Sequence, residues 1–307
     1  MHLWKARAVE VDQEALAETQ AWLLLRALAA RAGMGEAVVQ PCGVFVDEAG
    51  RLEEVKLGQG WLDVYPDEDP PFRSDAPLAP STEQLLDICL PLCVGKRSNT
   101  LVIGHVAQSL DGQIATSTGA SCFITGQQDL AHTHRLRALF DTVLVGRATI
   151  TSDDPRLTTR LVPGRSPTRV VVDPALRSPS ERKVFRDGAA PTLVFCSRGQ
   201  RDTRRWQSHV EVIETTSQGP ILPPLEIIEQ LRARGLRRVF IEGGGVTVSH
   251  FLRAGLLDRL HIAISPIFLG QGRPGLVLPR IDRLDQALRP RVRRFMLGND
   301  TLFDCTL

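Results

Sequence analysis

From residue 101 onward the chain alternates short apolar runs with longer amphipathic stretches. The runs at 101–107, 141–145, 168–172, 192–196, 210–213, 238–242 and 259–264 are rich in Val, Ile and Leu and read as strands. Helical periodicity covers 127–140, 224–234 and 246–254. Two last runs, 291–297 and 301–306, face each other across Gly298-Asn299-Asp300 and read as a closing hairpin. Strands alternating with helices predict an α/β fold: a mostly parallel sheet flanked by helices, with a C-terminal antiparallel hairpin at its edge. The first 98 residues follow another pattern. An amphipathic helix over 10–32 ends at Gly33, and Gly43-Val-Phe-Val46 with 52–57 makes a hairpin. A Pro- and Asp-rich loop follows over 65–81, then a short helix over 82–92. Lys96-Arg-Ser-Asn99 marks a boundary, so we expect a small α+β N-terminal extension at 1–98 and a main domain at 99–307.

The sharpest chemical signal lies where one strand meets one helix. Val239-Phe-Ile-Glu-Gly-Gly-Gly245 runs an apolar strand into three glycines, and the helix that follows is closed by Gly255. Glycines there let the backbone approach a ligand, and the helix start presents unpaired N–H groups. Together they suit an anion such as a phosphate. Glu242 stands at the strand's C-terminal end, where ligands of open α/β sheets usually lie.

Composition narrows the function classes. Net charge is +2, from 37 Lys+Arg against 35 Asp+Glu, which gives no footprint for nucleic acid or a membrane surface. No apolar run reaches the roughly 20 residues of a membrane span, and the N-terminus has no signal-peptide pattern. The 6 cysteines are scattered without a C-x-x-C pair, so we expect reduced thiols, no metal site and a cytoplasmic protein.

A second constellation falls between residues 105 and 160. Ser109-Leu-Asp-Gly112 follows the first strand, then Ser121-Cys-Phe-Ile-Thr125, then a helix carrying His134-Arg-Leu-Arg137. Gly146-Arg-Ala-Thr149 and Ser152-Asp-Asp-Pro-Arg-Leu-Thr-Thr-Arg160 come next. Arg137 lies on the apolar sector of its helix near Leu130, Leu136 and Phe140. A guanidinium there either snorkels from a core edge or meets an anion. Asp153-Asp154-Pro155 taken alone is a turn.

Taken in order, S-L-D-G, S-x-aromatic-I-T, H-x-L-R, D-x-x-L-V-G-x-x-T, D-D-P-x-L-T-x-R, V-V-V-D and E-G-G closely resemble the riboflavin-biosynthesis pyrimidine reductases. These are the reductase domains of bifunctional deaminase-reductases and their stand-alone relatives. The resemblance implies a dihydrofolate-reductase-like fold over residues 99–307 and a homodimer. It implies NADPH-dependent reduction of the ribose of a 5-amino-6-(ribosylamino)pyrimidine 5′-phosphate to a ribityl chain, the protein aligning hydride donor and acceptor. By the same resemblance, Ala107, Phe123, Thr149 and Asp153 touch the cofactor, and Gly243, Gly244, Gly245, Val246 and Thr247 cradle its phosphates. Ser121, Arg137, Leu157 and Arg160 hold the substrate, with the arginines on its 5′-phosphate. Glu242 matches a substrate-binding carboxylate on the ribose hydroxyls or the amine. Glu242, Asp111 and His105 are the residues we single out for catalysis. Asp111 reads equally well as a brace for its own turn, and His105 as a core-facing strand residue.

Three positions depart from the pattern. His105 stands where many bacterial members have lysine, Phe123 replaces the tryptophan of S-x-W-I-T, and Pro174 follows V-V-V-D where serine is common. The first of these bears on the identity of the substrate more than on the reaction. Residues 1–98 lack the H-x-E and P-C-x-x-C of a zinc deaminase, so no deaminase is expected there. Two other readings remain open at this level. One is a non-catalytic nucleotide-binding protein on the same fold; the other is a reductase of a divergent pteridine or pyrimidine.

Overall fold

The computed structural model describes residues 18–47, 49–95, 100–121, 124–200, 204 and 206–307. The chain divides into two compact units, Met1–Ser98 and Asn99–Leu307. In the first, α1 (Glu18–Gly33) and α2 (Pro80–Cys89) accompany a four-stranded antiparallel sheet. Its strands β1 (Cys42–Val46), β2 (Leu52–Val55), β3 (Leu62–Val64) and β4 (Phe72–Arg73) run in the order β2-β1-β3-β4. The start of the helix expected from residue 10 lies outside the described residues. The hairpin is as expected. The stretch read as loop contains β4, held by its register Asp63↔Arg73 and Val64↔Phe72. Two residues are too few to show an alternating pattern.

The second unit is built on a nine-stranded sheet. Its elements in chain order are β5 (Leu101–Ser109), β6 (Gln113–Thr116), α3 (Gln127–Leu139), β7 (Thr142–Gly146), α4 (Arg147–Asp153) and β8 (Thr168–Val172). Then come α5 (Lys183–Arg186), β9 (Thr192–Cys196), β10 (Val210–Glu214), α6 (Pro224–Ala233), β11 (Arg238–Glu242) and α7 (Gly245–Arg253). The chain closes with β12 (Arg259–Ser265), β13 (Gly272–Pro274), β14 (Arg291–Leu297) and β15 (Asp300–Thr306). The sheet order is β10-β9-β8-β7-β11-β5-β12-β15-β14. The first seven strands in that order are mutually parallel; β15 runs antiparallel to them and to its outer neighbour β14. This is the expected α/β architecture, a mostly parallel sheet flanked by helices with a C-terminal antiparallel hairpin at its edge.

Chain order explains where a site forms. From β7 the strands step outward through β8 and β9 to β10. The chain then returns to insert β11 between β7 and β5, and continues to β12 on the far side of β5. Connections leaving β5, β7 and β11 therefore diverge at one edge, the arrangement that opens a crevice in parallel sheets.

The two faces of the sheet differ. Val102, Leu144, Val170, Phe195, Val239 and Ile241 join Ile227, Leu231, Val248 and Phe251 of α6 and α7 in an apolar core. The face under α3 carries a polar row. Glu242, His105, His261, Asp304 and Arg293 occupy matched register positions on β11, β5, β12, β15 and β14, so all five side chains leave the same face. Polar α3 residues meet them: Asp129, His132 and Arg137 are all buried. Asp300 starts this helix, its carboxylate accepting the Gly126 N–H at 2.6 Å. Asp300 thus belongs to β15, and the hairpin turn shrinks to Gly298-Asn299, with Gly298 at φ +67°.

Phe240 is fully buried, 6.2 Å from the Phe140 ring and 6.4 Å from the His105 ring. Phe240→Ala is expected to destabilise this unit by about 3–5 kcal/mol. It should lower the urea midpoint at unchanged m-value; a loss below about 1 kcal/mol would mean this layer repacks freely.

Candidate active site

The glycine turn ends β11 and starts α7. Gly243 and Gly244 both take positive φ, +60° and +68°, a conformation that favours glycine. The three glycines do different work. A Cβ on Gly243 would meet nothing within 4 Å, so this position borders open space. A Cβ on Gly244 would lie 3.1 Å from Thr149 Oγ1, and one on Gly146 would collide with Thr247 Oγ1 at 2.4 Å. The starts of α4 and α7 are therefore pressed together, which gathers Thr149, Gly244 and Thr247. A Cβ on Gly245 would strike the carbonyls of Pro274 and Gly275, each at 2.5 Å. The segment after β13 crosses the helix start there. It is tied by Gly275 N–H to Gly112 O at 2.8 Å, and by Val277 N–H to Ser249 Oγ at 2.8 Å. Gly243 and the leading N–H groups of α7 suit an anionic group approaching from the open side.

Glu242, one residue earlier, is held by Arg137. The guanidinium donates Nε–H to Oε2 at 2.7 Å and Nη2–H to Oε1 at 2.5 Å, a bidentate pair at the sheet's C-terminal edge. Its third arm, Nη1, donates to the Thr158 carbonyl at 3.0 Å. The anion that Arg137 needed in its apolar sector is thus Glu242. Arg160 lies at the end of the D-D-P loop, its Nη1 donating to Thr158 O at 3.2 Å and Thr158 Oγ1 at 2.7 Å.

His134 joins these two arginines. Its Nδ1 accepts the Arg160 N–H at 2.8 Å, which places the ring proton on Nε2. Nε2 then faces Arg137 Nη1 at 3.4 Å, donor against donor. Burial, then the charges of Arg137 and Arg160, pull the His134 pKa down to about 4, so the ring is neutral near pH 7. Leu157 in the same loop is fully buried with φ +56°, a left-handed strain that its packing sustains.

Ser121 donates its hydroxyl to Asp153 Oδ1 at 3.2 Å. Asp153 is open to solvent on one side, yet partial desolvation raises its pKa against the lowering bond from Ser121. Ala107 is half-buried on β5, two residues beyond His105. Phe123 lies outside the described residues. Val246 is exposed on α7 beside Gly245.

The catalytic candidates separate. Glu242 sits in the site. His105 is buried, with Nε2 3.0 Å from Asp129 Oδ1. Asp111 spends its carboxylate elsewhere: it accepts the Ser109 hydroxyl at 2.5 Å and the N–H groups of Leu269 and Gly270 at 3.2 and 2.7 Å. The Asp111 carboxylate thereby fastens the S-L-D-G turn to residues 269–270.

Residues 100–288 match the RibD C-terminal domain family. The chain belongs to this family. Over 215 residues it is 36% identical to the 2,5-diamino-6-ribosylamino-4(3H)-pyrimidinone 5′-phosphate reductase of Methanothermobacter thermautotrophicus, covering 67% of this chain and 97% of that protein. It is 35% identical to the riboflavin biosynthesis protein RibD of Aquifex aeolicus over 171 residues, 54% of this chain and 46% of RibD. The chain thus spans about half of that RibD relative. A solved deaminase/5-amino-6-(5-phosphoribosylamino)uracil reductase of Thermotoga maritima superposes with TM-score 0.58 at 26% identity, covering 74% of this chain and 61% of that one.

Within this RibD C-terminal domain, the sequence motifs did not single out Asp129, and they included Thr158 without giving it a role. Asp129 carried a signal all the same. It lies on one helical face with His132, Thr133 and Arg137, at spacings of three, four and eight, and a buried polar stripe of that kind calls for partners.

The three glycines predict separable variants. Gly243→Ala is expected to leave folding nearly intact, at a cost of about 1 kcal/mol for the positive φ, and to weaken binding of a phosphate-bearing ligand. Gly245→Ala should lower the melting temperature first, through its clash with Gly275 O. Calorimetry with titration of the nicotinamide nucleotide checks this; equal losses of binding and stability in both variants would refute the division.

Proposed function

We propose that this chain is an NADPH-dependent reductase that converts the ribose of a 5-amino-6-(ribosylamino)pyrimidine 5′-phosphate into the ribityl form. The supporting observation is the convergence, at one edge of the sheet, of Glu242 clamped by Arg137, Arg160 on its loop, and a glycine turn with open space above Gly243. That turn fits a dinucleotide phosphate. Gly243 to Thr247, with Thr149, would hold the cofactor, which when bound supplies the hydride for the sugar C1′.

The remaining roles belong to the chain's own residues. Arg137 has all three arms committed, so it aims Glu242 and leaves the phosphate to Arg160. Thr158 holds one arm of Arg160 and leaves the rest of the fork for phosphate oxygens. His134 Nε2–H, neutral and fixed in tautomer, offers a further donor beside it. Glu242, oriented from behind, accepts from the ribose hydroxyls or the amine. Ser121 and Asp153, joined by a hydrogen bond, and Leu157 buried in its loop complete the proposed set. A non-catalytic protein has no use for this convergence, which sets the nucleotide-binding reading aside.

We extend the reading to a homodimer of cytoplasmic chains, with residues 1–98 an accessory unit without deaminase chemistry. Among the described residues no helix is long and apolar enough to cross a membrane. Phe268, Leu284 and Leu288 are exposed apolar side chains that a second copy would cover.

Purified protein should oxidise NADPH in the presence of 5-amino-6-(5-phosphoribosylamino)uracil or its 2,5-diaminopyrimidinone counterpart; no turnover with either would overturn the proposal. Arg160→Ala should raise KM for the phosphorylated substrate roughly 10- to 100-fold, from the loss of charge-assisted bonds. The dephosphorylated compound should be little affected, and equal effects on the two would remove the phosphate from Arg160.

A further inference from the structure

Position 105 holds a buried histidine in a place where a neutral ring leaves an unanswered charge. His105 Nε2 is 3.0 Å from Asp129 Oδ1, with both side chains almost fully enclosed. Thr125 Oγ1 donates to the other Asp129 oxygen at 2.7 Å, which fixes the carboxylate from behind. The groups facing the imidazole come from three elements. From α3 come Asp129, Arg137 and His132, whose ring centroid is 5.9 Å away. From β11 come Glu242, in register with His105, and the edge of Phe240. From β12 comes His261, also in register. Burial holds both His132 and His261 below their ordinary pKa, so both rings are neutral. Arg137 and Glu242 already neutralise each other through two hydrogen bonds. The count that remains is one carboxylate, Asp129, against one imidazole. A buried carboxylate without a cation is costly, and only a protonated His105 supplies one.

We propose that Asp129 is a positioning residue that keeps His105 as a fixed cation beside Glu242, its register partner on β11. The inference rests on the reductase reading for its consequence in turnover, but not for the ion pair itself. Burial disfavours the imidazolium, and Asp129 outweighs it by charge and hydrogen bond, holding the His105 pKa above its ordinary value. Asp129 moves the other way: burial would raise it, but His105 and Thr125 keep it ionised well below the usual carboxylate range. His105, with its raised pKa, holds its charge to higher pH than a free imidazole and loses it as pH rises past the shifted value. His105 here does what a lysine does without assistance, and it does so because of Asp129.

Asp129→Asn tests the pair, read in two ways. In ligand-free protein, histidine 15N shifts should show His105 protonated at pH 7 in the wild type and neutral in the variant. In turnover, the alkaline limb of the kcat profile should move to lower pH by one unit or more, leaving roughly tenfold less cation above it. KM for the phosphorylated substrate should change little. His105→Lys placed in the Asp129→Asn background should restore the wild-type limb, since an ammonium starts from a pKa about four units above an imidazole's and withstands the same burial better. If Asp129→Asn does not fold, Thr125→Val loosens the same carboxylate and should shift both readouts in the same direction by a smaller amount. A neutral His105 at pH 7 in the wild type, or superimposable profiles for Asp129→Asn and wild type, would overturn the proposal. Absence of turnover in the wild type would sink the reductase reading while the 15N titration still decides the ion pair.

Discussion

Charge placed in a dry interior has to be answered locally, and one face of this sheet is organised by that requirement. Glu242, His105, His261, Asp304 and Arg293 form a polar row across five strands, and α3 lies over it with Asp129, His132 and Arg137. His132 Nε2 and His261 Nδ1 are 2.9 Å apart, and Asp304 gathers Arg259, Arg293 and His261 within 3.4 Å. Burial alone would raise the Asp304 carboxyl, but His261 beside it and the charges of Arg259 and Arg293 hold it well below the usual carboxylate range. Removing one member of such a set strands its neighbours without solvent to relieve them. The row therefore fixes the seat of α3 on the sheet, and that seat delivers Arg137 to Glu242. The opposite face, packed with Val, Ile, Leu and Phe, supplies bulk stability without specifying any of these pairings.

Much of the architecture was legible because strands buried on both faces have to be nearly continuous apolar runs. Val170, Val171 and the flanks of β11 show this plainly, and their boundaries agree with expectation to within a residue or two. The missing pieces carry no such signature. The β6–β13 ribbon pairs Gln113–Thr116 with Gly272–Pro274, polar and glycine-bearing residues whose strand character comes only from each other. α4 and α5 span 7 and 4 residues, too short for a period to declare itself.

The site was legible as a set of residues and not as a set of pairings. Ordered motifs brought Arg137, Arg160 and Glu242 forward, but nothing local says that Arg137 spends its fork on a carboxylate 105 positions away. Asp111 shows the converse, since a carboxylate in a conspicuous motif turned out to brace residues 269–270. Asp129 was overlooked because an acid in a first helical turn is ordinarily explained by the helix dipole. Its burial against His105 is visible only once β5 and α3 are in place.

The crossing of residues 274–277 over the start of α7 has a mechanical consequence. Gly275 reaches the S-L-D-G turn through Gly112, Val277 reaches α7 through Ser249, and Ser249 in turn bonds the Gly245 carbonyl at 2.5 Å. Two loops that leave different strands, β5 and β11, are thereby sewn to a common strap. Neither can be displaced without straining the other's hydrogen bonds, so the two turns transmit force as a single stiff part. A mutation that slackens the strap should register at both.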